Sequence, residues 1–183
     1  MPTDLSSNHF ELFGLPQAFE LDQGKLDARY RELQRQVHPD RFASAGDQAR
    51  RISMQQAARL NEAYQVLKDP LRRGRYLLEL RGMDLDDQQQ SLRDTEFLME
   101  QMELREELEL VAEASDPLVV LAGFIDRVRA SFRALQDELA ACLAGSDSGV
   151  PDGAVALVLK MQFYRKLEEE AEALEMDLEE QLG

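Results

Sequence analysis

Apolar residues recur at spacings of three and four positions along most of this chain, the period of an α-helix that buries one face. Alternating patterns typical of β-strands are scarce, so we predict an all-α fold. Four helices are expected in the first part of the chain. They are predicted at 8–13, from a cap at Asp22 to His38, from Asp47 to the Asp69-Pro70 pair, and at 71–80. The second should bury Leu26, Tyr30, Leu33 and Val37, and the third Ile52, Leu60, Ala63, Tyr64 and Leu67.

Three longer helices are predicted after residue 93. The first starts at Asp94 or Thr95 and runs to about residue 114, and the second is capped by Asp116-Pro117 and runs to about 144. After a loop at 145–153, the third is capped by Asp152 and nearly reaches 183. The last two have apolar seams at Leu121, Phe124, Val128, Phe132, Leu135 and Leu139, and at Leu157, Met161, Tyr164, Ala171, Leu174, Leu178 and Leu182. Short connections between long amphipathic helices predict an antiparallel three-helix bundle.

Charge is divided unevenly between the two parts. The 183 residues carry a net charge of −15, but residues 1–80 hold 12 basic and 11 acidic side chains, whereas 81–183 hold 9 and 25. We therefore predict two domains, 1–81 and 94–183, joined by a linker at 82–93. A strongly acidic body is repelled by phosphate groups, so binding to nucleic acid or to an anionic membrane is not expected.

The sequence offers little for metal or redox chemistry. Cys142 is the single cysteine, which excludes an internal disulfide, and with two histidines no Cys/His zinc site is expected. We expect no resident metal and no cofactor. The first ten residues have neither positive charge nor an apolar run, so no signal peptide is expected, and we predict a soluble protein of the cytoplasm.

The His38-Pro39-Asp40 loop is the strongest functional signal in the first part. Taken alone it describes a helix end, with proline as a stop and aspartate as a turn former. A catalytic His38–Asp40 pair would need a nucleophile or oxyanion donors, and the neighbouring sequence has neither. Cations surround the loop: Arg29, Arg31, Arg35 and Arg41. They form either a docking face for an acidic partner or a solvated face balanced by Asp27 and Glu32.

The helix that starts near residue 94 has apolar residues on two faces. Its core stripe, within about 60° on a helical wheel, comprises Phe97, Leu104, Leu108 and Val111. The far side carries Leu98, Met99 and Met102, flanked by Glu103 and Glu106. These apolar residues either pack on the fourth helix or form an exposed binding patch. In the last helix Phe163 lies away from the seam and is a candidate to face outward.

Three segments carry a family resemblance. FELFGLP at 10–16, LQRQVHPDRFAS at 33–44 and RDTEFLMEQMELREEL at 93–108 resemble the HscB-type J-domain co-chaperones of iron–sulfur cluster assembly, over nearly the whole chain. The third segment is more specific than the HPD triplet, which working J-domains share. The resemblance implies an N-terminal J-domain followed by a C-terminal three-helix domain. Because no cysteine-rich segment precedes residue 10, it indicates a bacterial type.

The resemblance also implies roles for particular residues. His38, Pro39 and Asp40 would stimulate the ATPase of a DnaK-type chaperone, HscA in this family, with Arg29, Arg31, Arg35 and Arg41 as docking contacts. The catalytic groups for ATP hydrolysis would belong to that partner, so the chain is not expected to be an enzyme. Binding of the cluster scaffold IscU would use Leu98, Met99, Met102, Glu103, Glu106 and Phe163.

Three features depart from the family pattern. Arg41 replaces the lysine that often follows HPD, Met102 replaces a leucine, and the 145–153 loop is longer, which affects the register of Phe163. Two other functions stay open at this point: a J-domain protein for a different client, and a helical interaction protein outside the chaperones.

Overall fold

The computed structural model describes residues 7–38, 46–83, 85, 94–144 and 149–182. Within these ranges the chain forms α-helices and one 3₁₀ turn, Val111–Glu113, but no strand, so the all-α prediction is confirmed. The helices are α1 (His9–Phe13), α2 (Gln23–Val37), α3 (Asp47–Lys68), α4 (Pro70–Leu80), α5 (Thr95–Leu110), α6 (Pro117–Ala144) and α7 (Ala154–Leu182). The chain divides into two compact units, Met1–Arg81 and Gly82–Gly183.

Helix ends in the first unit are set by groups that satisfy free backbone donors and acceptors. Asn8 and Glu11 form a capping box at the start of α1, and Gly14 ends that helix at a φ of 64°, which glycine adopts without steric cost. The Asp22 carboxylate accepts a hydrogen bond from the Lys25 backbone N–H at the start of α2. Asp69 caps α4 in the same way. The predicted end of α1 at Gly14 and the predicted Asp22 cap are confirmed, whereas α4 begins at Pro70, one residue earlier than predicted.

The first unit is built on an antiparallel α2–α3 pair, against which α1 packs. The core side chains are Phe10, Phe13, Phe19, Leu26, Leu60, Ala63, Leu67, Leu77 and Leu78. The prediction for Ile52 was wrong, because its side chain is 47% exposed and Ser53 is buried instead. Ser53 lies seven residues before Leu60, about 20° from it around the helix, whereas Ile52 is about 80° away.

The second unit is a three-helix bundle in which α6 packs antiparallel to α7. Arg129 of α6 pairs with Glu168 and Glu172 of α7, at 2.6 Å in each case. α6 buries Leu121, Phe124, Ile125, Val128, Phe132, Leu139 and Leu143, and α7 buries Ala154, Val158, Met161, Tyr164, Leu167, Ala171 and Leu178. Arg127 of α6 pairs with Glu107 of α5. Asp94 at the start of α5 and Glu100 of α5 bond to Lys160 and Tyr164 of α7, so α5 runs parallel to α7 and antiparallel to α6, and the bundle prediction is confirmed.

The predicted seam of α7 was partly wrong. Leu157 and Leu174 are only half-buried, while Val158 and Leu167 are fully buried. The buried positions shift around the helix between Ala154 and Leu178, so one fixed seam does not describe all of them. Leu135 of α6, which was predicted to lie in the seam, is only half-buried. The side chain of Leu182 lies outside the described part of the chain.

Two helix ends in the second unit also differ from prediction. α5 stops at Leu110 and continues as the 3₁₀ turn, rather than running to residue 114. α7 starts at Ala154, and the Gly153 carbonyl accepts the first helical hydrogen bond from the Leu157 N–H. Asp152 is therefore one residue too early to occupy the cap position. The predicted cap of α5 is confirmed, since the Asp94 carboxylate accepts from the Phe97 N–H at 3.0 Å.

Candidate interaction surfaces

The first candidate surface is the basic face of α2, formed by Arg29, Arg31 and Arg35. All three side chains are exposed. Arg29 pairs with Glu32 at 2.9 Å, and both side chains are about half exposed, so water screens this pair strongly. The Arg35 Nε donates to the Arg31 carbonyl at 3.1 Å, which leaves the guanidinium charge near the surface. The structure therefore keeps the cations of this face accessible.

The end of α2 leads into the predicted chaperone-binding loop. His38 is the last described residue before the loop, exposed, with an extended backbone at φ −61° and ψ 127°. The residue before a proline adopts this conformation, as predicted. Pro39, Asp40 and Arg41 lie outside the described residues.

The α2–α3 contacts fix the direction in which α2 ends. Tyr30 and Tyr64 stack at a ring-centroid distance of 4.0 Å, and their hydroxyls bond to Asn61 and Asp27 respectively. At the far end, the buried Ser53 hydroxyl donates to the Val37 carbonyl at 2.6 Å. Ser53 thus fixes the last turn before His38. Sequence reasoning missed it, although its seven-residue spacing from Leu60 was visible.

The second candidate surface is the apolar patch of α5, formed by Leu98, Met99 and Met102. These side chains are 48%, 58% and 64% exposed, whereas the neighbouring Phe97 is 2% exposed. Glu103 and Glu106 on the same face are exposed as well. Exposure of three large apolar side chains on one face favours the binding-patch interpretation. Methionine also suits such a surface because its flexible thioether adapts to a partner.

Phe163 sits beside this helix but does not project freely into solvent. Its ring is half-buried and meets Phe97 edge-on at a centroid distance of 5.5 Å and an interplanar angle of 86°. The Arg105 guanidinium lies 5.9 Å from the centre of the same ring. Phe163 therefore supports α5 with one side of its ring and can offer a partner only the remainder. The sequence suggested an outward position without this packing.

Lys160 and Tyr164 hold the first turns of α5, and sequence reasoning identified neither role. Lys160 Nζ is 2.7 Å from an Asp94 carboxylate oxygen and 4.9 Å from the centre of the Phe97 ring. The hydrogen bond from Lys160 holds the pKa of the Asp94 carboxyl below its ordinary value. The Tyr164 hydroxyl bonds to Glu100, and burial raises the pKa of Tyr164 to about 12. These contacts place one turn of α7 against one turn of α5.

The described part of the chain contains no group of three or more histidine, cysteine, aspartate or glutamate side chains placed to hold a metal ion. Nor does any described helix combine the length and apolar character needed to cross a membrane. Cys142 is half-buried, with its Sγ 3.7 Å from the Asp152 carbonyl oxygen. The two surfaces above are therefore the candidates for function.

Comparison with known proteins identifies both units. Residues 8–76 match the DnaJ domain model, and residues 93–172 match the model of the HSCB C-terminal oligomerisation domain. A co-chaperone protein HscB homolog of Vibrio cholerae is 47% identical over 171 residues, covering 93% of this chain and 98% of that relative. That relative is named as a co-chaperone.

Solved structures agree with the sequence comparison. Chaperone HscB from Vibrio cholerae superposes with a TM-score of 0.82 at 45% identity, covering 94% of this chain and 99% of that one. Human co-chaperone HscB has a TM-score of 0.85 at 29% identity, covering 95% and 85%. The chain belongs to the HscB family of J-domain co-chaperones, as its motifs predicted.

Proposed function

We propose that this protein binds an IscU-like iron–sulfur scaffold and delivers it to an HscA-like, DnaK-type chaperone whose ATPase it stimulates, so assisting cluster transfer. The main support is that a chain of the HscB family exposes three large apolar side chains on one face of α5. We assign residues 1–81 to the J-domain, 82–93 to a linker and 94–183 to scaffold binding. We place this activity in the cytoplasm, the compartment that the composition predicts.

Chaperone binding is assigned to the loop after α2 and the basic face beside it. His38, Pro39 and Asp40 would contact the ATPase domain, with Arg29, Arg31, Arg35 and Arg41 as docking residues. The accessible cations of α2 support this assignment, because exposed arginines can steer and hold an acidic surface. This chain would change the rate of ATP hydrolysis by positioning the partner's own groups, without a catalytic side chain of its own.

Scaffold binding is assigned to the apolar patch together with Glu103, Glu106 and Phe163. The exposure of Leu98, Met99 and Met102 supports this assignment, since each has apolar surface left to bury. Glutamates at the edge of the patch would select a partner with matching cations, which fixes orientation more than affinity. Phe163 would contribute part of its ring and also keep Phe97 in place.

A steady-state ATPase assay tests the proposal. The HscA-like chaperone is assayed alone, with this protein, with the scaffold, and with both together. We expect stimulation by this protein alone and a larger, synergistic rate with the scaffold present. If stimulation occurs but an IscU-like scaffold adds nothing and does not bind, the client is a different protein. An unchanged ATPase rate under all conditions would overturn the proposal.

A further inference from the structure

We infer that Lys160 is a positioning residue for scaffold binding: through Asp94 it holds the start of α5 so that the apolar patch is presented in one orientation. This inference rests on the proposed function, because it concerns the same surface. Lys160 would not touch the scaffold itself.

Asp94 performs two tasks with one carboxylate. One oxygen accepts the Phe97 backbone N–H at 3.0 Å and so caps α5, and the other lies 2.7 Å from Lys160 Nζ on α7. The cap fixes where the helix begins, and the ion pair fixes that point against the neighbouring helix. Leu98, the first residue of the apolar patch, follows the cap after only one turn of helix. The pair is therefore well placed to control the patch.

α5 has few other attachments to the bundle. Phe97 is its only fully buried residue, and Leu104 and Leu108 are half-buried. The remaining contacts near the patch, the rings of Phe163 and Tyr164 around Phe97 and the Tyr164–Glu100 bond, come from the same turn of α7 as Lys160. A helix that buries a single ring in its first turns can fray at its start unless polar contacts prevent it. The Asp94–Lys160 pair supplies such a contact.

Removing the pair should affect binding more than overall folding. Its side chains are 27% and 35% exposed, and such an ion pair adds little to global stability, whereas the α6–α7 core is independent of it. A looser α5 must be ordered when the scaffold binds, and that ordering weakens affinity. Lys166 offers a matched control, because it pairs with Glu170 within α7 at 3.8 Å and carries the same charge.

Isothermal titration calorimetry of the full-length protein against an IscU-like scaffold tests the inference. We expect Lys160→Met to weaken binding by up to about fivefold, the upper end for one partly exposed ion pair. Lys166→Met removes the same charge and should bind like the wild type, and Lys160→Arg should restore most of the affinity. Thermal unfolding of all three variants should match the wild type within about two degrees.

Amide hydrogen exchange provides a readout that does not depend on affinity. In the free protein, Lys160→Met should accelerate exchange at residues 97–102, while Lys166→Met and Lys160→Arg should not. Lys160→Met that binds as tightly as Lys166→Met, with unchanged exchange, would overturn the inference. A Leu98→Ala, Met99→Ala double variant separates this result from failure of the proposed function. If that double variant binds normally, the patch assignment fails and this inference fails with it; if it binds weakly, only the role of Lys160 is at stake.

Discussion

The two units present opposite kinds of candidate surface on helices that are supported differently. The first unit exposes arginines on α2, which is hydrogen-bonded to α3 at both of its ends. At the start of α2 the Gln23 side chain donates to the Lys68 carbonyl, and at its end the Val37 carbonyl accepts from the Ser53 hydroxyl. The second unit exposes apolar side chains on α5, whose start is held by Asp94 and Phe97 and whose later turns are held by the Glu107–Arg127 pair.

This difference has a physical reason. A charged face gains nothing by turning inward, so α2 keeps its arginines exposed without special support. An apolar patch would be more stable if the helix rotated and buried it. Two features of α5 oppose such a rotation: Phe97 fills the core, and Asp94 caps the first turn.

His38→Gln should separate the two units with the largest effect. We expect ATPase stimulation to be lost almost completely, because His38, at the exposed end of α2, would make the contact that stimulates the chaperone's ATPase. Scaffold affinity, measured by calorimetry, should equal that of the wild type because the change lies in the other unit. A variant that still stimulates at the wild-type level would contradict the assignment of the loop.

Truncation of the apolar patch tests the other unit. Leu98→Ala, Met99→Ala and Met102→Ala combined should lower scaffold affinity about a hundredfold, since each change removes roughly 1 kcal/mol of apolar burial in the complex. Stimulation by the protein alone should persist. The control is Val119→Ala on α6, where the side chain is 66% exposed outside the patch. Equal affinities of the patch variant and this control would rule the patch out.

Phe163 needs a separate test because it also supports Phe97. A combined Leu98→Ala, Met99→Ala and Phe163→Ala variant should bind the scaffold more weakly, but it also removes an edge-on ring contact worth about 1 kcal/mol. Urea unfolding of Phe163→Ala alone measures that loss. Unchanged affinity of the triple variant in calorimetry would count against the patch and Phe163 together.

Ser53→Ala should show a smaller effect, confined to the first unit. It leaves the Val37 carbonyl without the hydroxyl that donates to it, which costs about 1–3 kcal/mol of unfolding free energy. A looser last turn of α2 should reduce ATPase stimulation severalfold without changing scaffold affinity. Met54→Ala is the matched control, since Met54 is adjacent on α3 and 55% exposed. Full stimulation by a destabilised Ser53→Ala protein would limit Ser53 to a role in stability.

Sequence reasoning predicted the helices well because their limits are local. Caps such as Asp22 and Asp94, and the Asp69-Pro70 pair, act within one turn and need no knowledge of the tertiary fold. The exposed patch could be proposed from the helical wheel, but not decided, because a second apolar face is equally consistent with burial. Its exposure became clear only from the structure.

The missed residues depend on contacts between helices that are distant in sequence. Hydrophobicity favours Ile52 over Ser53 as the buried residue, whereas the position on the helix favours Ser53, which is the one that is buried. Lys160 resembled any cation on an acidic helix, since its partner lies 66 positions earlier. Phe163 was placed outward by periodicity, whereas the ring that it meets belongs to another helix. Such pairings cannot be deduced from spacing within one helix.

The smallest expected difference between the units concerns pH. His9 packs on Tyr76 at a ring-centroid distance of 4.2 Å, and burial lowers its pKa below 6.5, with Arg59 acting in the same direction and Glu62 against it. As pH falls below about 6.5, the unfolded chain therefore binds a proton at His9 more readily than the folded first unit does. The free energy of unfolding decreases accordingly. In the second unit, the pKa of the Asp94 carboxyl is lowered in the folded chain, which stabilises the fold at any pH above the pKa of about 4 that an aspartate has in an unfolded chain. This stabilisation is lost only in stronger acid.

Thermal unfolding at pH 7.5 and 5.5 checks this difference. The wild type should lose stability over that interval, and His9→Gln should lose less, because glutamine has no proton to take up. Asp94→Asn should keep the wild-type pH dependence between 7.5 and 5.5, since the Asp94 carboxylate is ionised at both values in the folded and the unfolded chain. If His9→Gln and the wild type shift equally, His9 does not impose this pH dependence.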